Sequence, residues 1–114
     1  MIRLIRLAFW AAVVVAFAMA VLPHPPAVPV SDKLQHMTAF FVITVLGRLA
    51  YPRLSRRILL PELIAFGGLI ELVQLVPMLH RDSEWSDWAA DIVAVAAALV
   101  CMHWIERRRA PRAR

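Results

Sequence analysis

Five polar side chains interrupt apolar sequence in the second half of this chain. Glu71 and Gln74 lie inside one hydrophobic run, Arg81 in the loop after it, and Asp87 and Asp91 at the mouth of the next. Carboxylates can act as general bases or accept hydrogen bonds from hydroxyl, amide and ammonium donors, and a nearby arginine can neutralise one or clamp an anion. Gln74 stands at i+3 from Glu71 and Asp91 at i+4 from Asp87, so on helices each pair shares a face. Asp32, Lys33 and His36 form a similar group at the start of an earlier apolar run. His36 with the carboxylates has the chemistry to hold a divalent metal, but no HExxH or comparable ligand spacing occurs, so the metal signal is weak and neither a metal nor a cofactor is assigned. No serine or cysteine nucleophile falls among these groups beyond the loop residues Ser31, Ser83 and Ser86.

The runs that must position these residues dominate the composition. Of 114 residues, 61% are hydrophobic, 18% are charged and only three are glycine, with a mean hydropathy of +0.67. Soluble domains carry about a quarter charged residues, and this chain instead has apolar runs at about 4–22, 33–51, 58–76 and 86–105. Each is near the roughly 20 residues that cross a hydrocarbon core about 30 Å thick. The expected fold is therefore all-α: one domain over 1–114, an integral membrane bundle of four transmembrane helices with a basic tail at 106–114. Four prolines make 23–30 an extended linker, and the tail is disordered beyond its first residues. Asp32 with Gln35 fits a capping box, Pro61 falls in the first turn of the third run, and Pro77 ends it. Arg3, Arg6 and Ala18-Met19-Ala20 also fit a cleavable signal peptide; an uncleaved span is preferred because the run continues through Val21 and Leu22. The single Cys101 excludes an intrachain disulfide.

Charge orients the bundle. With both termini and the turn YPRLSRR on one side, that side holds all but Lys33 and Arg81 of the thirteen basic residues. The positive-inside rule makes it cytoplasmic, and Trp85 and Trp88 at one face with Tyr51 and Trp104 at the other suit an aromatic belt. A net charge of +5 and a pI near 11 are then topology signals, and no nucleic acid is expected as a partner. Of the eight acidic residues, all but Glu62 and Glu106 fall in the exterior half, which no topology rule demands. Glu71 lies about five residues before the outer end of its run, roughly 7 Å deep. A carboxylate that deep requires a partner or a proton, so the polar groups of three helices should face one another in a pocket.

These residues also resemble a known family. Ser31-Asp32-Lys33-Leu34-Gln35-His36, then Gly68-Leu69-Ile70-Glu71-Leu72-Val73-Gln74, then Arg81, then Asp87-Trp88-Ala89-Ala90-Asp91 is similar to the VanZ-like pattern of D-K-x-x-H, E-x-x-Q, R and D-x-x-x-N-x-x-G. The resemblance covers residues 31 to about 98. It implies a protein of a bacterial cytoplasmic membrane, part of the cell envelope and linked in some family members to teicoplanin and wider glycopeptide resistance. Two positions depart from the pattern: Asp91 replaces its Asn and Ala94 its Gly. A carboxylate at 91 makes the pocket more acidic, and Ala94 limits the approach of the fourth helix to a neighbour.

Structural roles compete with functional ones at most of these positions. Asp32 and Asp87 can serve as caps, His36 and Gln74 as interhelical ties, Gly67 and Gly68 as close-packing contacts, and Trp85 and Trp88 as interface anchors. Cys101, Met102 and His103 read as packing and snorkelling groups, and Arg81 as the ion-pair partner of Glu71. Three functional classes remain. One is an envelope protein binding an outer-leaflet ligand, such as a lipid-linked cell-wall precursor, or another envelope protein. A second is an intramembrane hydrolase or transferase using the Glu, Asp and His cluster, a less favoured reading because a placed nucleophile is lacking. The third is a proton or cation relay or an accessory subunit. The topology predicts that, in a Cys101→Ser background, Pro29→Cys reacts with an impermeant maleimide on intact cells, whereas Ser55→Cys reacts only after permeabilisation; the reverse pattern would invert the bundle.

Overall fold

Serine hydroxyls start two of the four helices. A computed structural model describes residues 1–22, 29–76 and 85–109, except the side chain of Asp32; it contains α1 (Ile2–Val21), α2 (Asp32–Ala50), α3 (Arg56–Gln74) and α4 (Trp85–Arg109). Ser31 Oγ accepts the Leu34 amide at 3.2 Å and Ser55 Oγ that of Arg57 at 3.1 Å, satisfying donors that lack an intrahelical partner. The cap of α2 is thus Ser31 rather than Asp32, which becomes the first helical residue. Gln35 Nε2 donates instead to the Val30 carbonyl at 2.8 Å. Because Ser55 caps α3, the helix begins two residues earlier than the hydrophobic run. Pro61 then sits in the helix interior rather than the first turn, leaving the Arg57 carbonyl without its i+4 donor.

The far ends of these helices also differ from the run boundaries. α3 finishes at Gln74, with the Leu75 amide bonding back to Leu72 O at 3.2 Å in a tightened last turn. Pro77, the expected terminator, lies outside the described residues, as do 23–28 of the proline-rich linker and 110–114 of the tail. α4 continues to Arg109 and absorbs the first tail residues. Asp87 in its first turn and Arg107, Arg108 and Arg109 in its last complement the helix dipole at both ends.

The packing order does not follow the chain. α2 packs chiefly on α1 and α4, α4 also on α3, and α1 closes the ring onto α3, so α2 and α3 sit diagonally despite being consecutive. α4 is apolar almost all round, yet buries one stripe, Asp91, Ala94, Val95, Ala98, Leu99 and Met102, at the i, i+3, i+4 spacing of a packed helix face. Alanines in that stripe allow close approach to a neighbour. Phe66 of α3 links the diagonal, its ring 5.7 Å from that of Phe40 on α2 and 6.4 Å from that of Phe17 on α1.

One end of the bundle is basic and tied by polar contacts. Arg48 donates to Leu54 O at 2.8 Å and to Glu106 Oε1 at 2.7 Å, joining α2 to α4. Arg6 Nε donates to Ala50 O at 2.9 Å with its guanidinium 4.8 Å from the Tyr51 ring centroid, and Trp10 Nε1 donates to Tyr51 Oη at 2.8 Å. Arg56 contacts His103 Nδ1, so His103 ties α3 to α4, whereas Met102 is buried and Cys101 exposed. α1 also places Phe9 and Ala20 in the core; it is an integrated member of the bundle.

The outer surface is apolar on every helix, with Leu4, Leu7, Val14, Val42, Leu72, Val93 and Val100 among its exposed residues. Large exposed apolar areas mark a membrane or partner surface. Among the described residues α1 and α4 are long and apolar enough to cross a membrane, with hydropathies of 2.3 and 1.8. In α2 and α3 charged and polar residues, including Lys33, His36, Arg48, Glu62 and Glu71, are spread along the helix, whereas most of those of α4 lie in its first and last turns.

Gly67 and Gly68 behave differently where α3 meets α4. A Cβ on Gly67 would lie 3.3 Å from Trp88 Cδ1, 3.4 Å from Asp91 Oδ2 and 3.4 Å from Phe40 Cζ, whereas one on Gly68 would meet the Trp88 ring at an ordinary 3.5 Å or more. Gly67→Leu should therefore overpack the junction and cost roughly 1 to 3 kcal/mol. Gly68→Ala should be neutral or stabilising by up to about 1 kcal/mol, the helix-propensity gain. Unfolding of both variants in one detergent checks this, and equal losses would contradict the packing.

Candidate functional site

Away from the basic end, α2, α3 and α4 each place one polar residue at a common point. His36 stands just over a turn into α2, Glu71 one turn before the end of α3, and Asp91 two turns into α4. Each offers a potential ligand atom, and these atoms lie within 4.8 Å of one another. Glu71 is 8% exposed and Asp91 1%, so two carboxylates are packed in the core with an imidazole. With α3 ending at Gln74, Glu71 is about 4.5 Å from its helix end rather than 7 Å. The cluster thus sits near the rim of the bundle.

Gln74 shares the Glu71 face and is buried at 2% exposure. Its Nε2 donates to the Ala20 carbonyl at 3.0 Å, tying α3 to the last turn of α1, where carbonyls lack helical donors. Its Oε1 is buried and has no hydrogen-bond partner among the described residues. Gln74 is therefore an interhelical tie with a spare acceptor.

Lys33 and Asp87 form a separate outer tier. Lys33 Nζ donates to Ser86 Oγ at 3.1 Å and lies 3.7 Å from Asp87 Oδ1. This pair bridges the starts of α2 and α4. It is partly exposed, so its stabilisation is small, about 0 to 1 kcal/mol. Arg81, the expected partner of Glu71, and Asp82 lie outside the described residues, as does the side chain of Asp32. The structure thus joins His36, Glu71 and Asp91, sets Gln74 beside Glu71, and places Lys33 and Asp87 above them.

Trp88 does more than anchor an interface. Its Nε1 donates to the Ile64 carbonyl at 3.0 Å, and its ring covers Gly67 and Gly68. The sequence signal was the glycine pair itself, which leaves a flat patch of backbone for an indole. Trp85, strongly exposed, lies 5.6 Å from Trp88 ring to ring. The two tryptophans line an apolar groove of about 510 Å³ together with Leu69, Leu72, Leu75 and Glu71. A second cavity of about 370 Å³, walled by α1 and α2, reaches His36.

Comparison of the chain with protein-family models, with curated proteins and with solved structures finds no match. The chemistry of the site therefore rests on its geometry. An imidazole and two carboxylates can accept hydrogen bonds, exchange protons or ligate a cation, and they are reached through apolar space.

Two buried carboxylates beside one imidazole form a set whose members depend on one another. His36→Leu takes one member from beside two buried acids and should destabilise by roughly 3 to 5 kcal/mol, the scale for removing one partner of a buried pair. Replacing the whole set by His36→Leu, Glu71→Met and Asp91→Leu should be neutral or stabilising by about 1 to 4 kcal/mol. Equilibrium unfolding in detergent compares the two, and a triple variant weaker than the single one would contradict the picture.

Proposed function

We propose that this chain is a four-span protein of a bacterial cytoplasmic membrane, with both termini in the cytoplasm, that binds the head group of an outer-leaflet lipid-linked molecule such as a cell-wall precursor. The observation that carries the reading is the meeting of the His36, Glu71 and Asp91 cluster with the groove of about 510 Å³ behind Trp85 and Trp88. That combination suits an amphiphile: an acyl or prenyl chain along the leucines and a polar head against the carboxylates. The apolar outer surface and the two membrane-length helices support the bilayer setting, and the charge asymmetry supports the orientation. The VanZ-like residue pattern supports the envelope assignment and a link to glycopeptide tolerance.

The pocket favours donors over bare anions. Carboxylates accept from hydroxyl, amide and ammonium groups, which amino-sugar and peptide head groups supply, while Lys33 at the rim and Arg81 in the following loop suit a phosphate. A hydrolase or transferase would draw on the same His36 and carboxylate pairing. Against it, the Ser86 hydroxyl is engaged by Lys33 in the outer tier.

Trp85 and Trp88 provide a readout for the binding reading. In nanodiscs, a polyprenyl-diphosphate-linked N-acetylated sugar should change tryptophan fluorescence saturably, and bare polyprenyl phosphate should do so weakly. Glu71→Gln should weaken the sugar-lipid response about tenfold or more, as expected for loss of a charge-assisted hydrogen bond. In cells, Arg81→Ala should lower glycopeptide tolerance at unchanged protein level. Equal responses to both lipids, with tolerance unaffected, would sink the proposal.

A further inference from the structure

We propose that His36, Glu71 and Asp91 form a binding site for one divalent transition-metal ion of the zinc or manganese class. No local sequence motif encodes this site, because its three ligands come from three helices. Their potential donor atoms lie within 4.8 Å of one another. Ions of this class hold nitrogen and oxygen donors at about 2.0 to 2.2 Å, which sets neighbouring donors about 3 to 3.5 Å apart. Side-chain rotations of about an ångström close the set around an ion.

Charge and donor chemistry point the same way. A neutral imidazole, two carboxylates and a divalent ion sum to zero, the balance that a buried site favours. The spare Oε1 of Gln74, one turn from Glu71 on the same helix face and fully buried, is a second observation that points to a ligand. It can accept from a metal-bound water. An imidazole nitrogen disfavours calcium and magnesium, which take oxygen donors, and favours transition ions. Three protein ligands leave coordination positions open to water or to an oxygen of a head group. Metal binding itself does not depend on the lipid reading above, so either can fail alone.

The test uses full-length, tag-free protein in mild detergent, stripped with chelator and titrated separately with zinc and manganese. Wild-type protein should take up one equivalent of at least one of these ions and retain it through dialysis against excess magnesium. Asp91→Asn and His36→Gln, checked for native helicity and elution volume, should each weaken uptake by more than about 100-fold, beyond the loss typical of outer-shell partners. His103→Ala, at the basic end, should leave it unchanged. In wild-type protein the ion should also shield His36 from carbethoxylation, read by peptide mass spectrometry, which holds even if both variants misfold. Uptake well below one equivalent for both ions would overturn the proposal and leave a plain hydrogen-bonded triad. So would full uptake by the folded variants, or unshielded His36.

Discussion

The burial of Glu71 and Asp91 side by side is the constraint on which the rest of this bundle turns. Each carboxylate in an apolar interior costs several kcal/mol unless it is compensated, and the compensation here is drawn from distant parts of the chain. His36 arrives from α2, which shares few contacts with α3 and reaches the cluster alongside α4. Gly67 lacks a side chain where Asp91 Oδ2 and Phe40 come close, and Trp88 seals the junction by bonding to Ile64 O. An apolar residue at either acidic position would relax all of these demands. Their joint presence ties the position of the cluster to the packing of α2, α3 and α4.

The two ends of the bundle solve different problems. At the basic end, Arg48, Arg6 and Arg56 each bridge elements, to Glu106, Ala50 and His103, with backbone carbonyls, one carboxylate and one imidazole nitrogen as partners. These contacts lock the helices where no cavity is needed. At the other end the Lys33 contacts to Ser86 and Asp87 join α2 to α4, and the Gln74 bond joins α3 to α1.

The sequence made some of this legible and hid the rest for identifiable reasons. Hydrophobic runs revealed four helices within a few residues, and helical spacing put Glu71 with Gln74. The depth of the carboxylates implied that they meet, and Glu71, Asp91 and His36 do. Boundaries shifted because hydroxyl caps, not hydrophobicity, set helix starts: Ser31 displaced Asp32 as the cap, and Ser55 moved Pro61 into the helix interior. Partners were harder to see. Periodicity names a face but not the neighbour across from it, so the diagonal placement of α2 and α3, the choice of Ala20 O by Gln74, and the Trp88 bond to Ile64 O were invisible. The counter-ion role expected of Arg81 falls in a segment outside the described residues.

The ring order of the helices also has a consequence for how the protein is made. The hairpin of α1 and α2 can form as soon as both are synthesised, but the main remaining partner of α2 is α4, the last of these four helices in the chain. α3 must therefore wait beside an unfinished bundle, holding Glu71 and the Gln74 tie to α1 while the surface meant for α4 is still open. Completion of the cluster and completion of the fold are then one event, and a chain stalled before α4 presents an unshielded acid to whatever surrounds it.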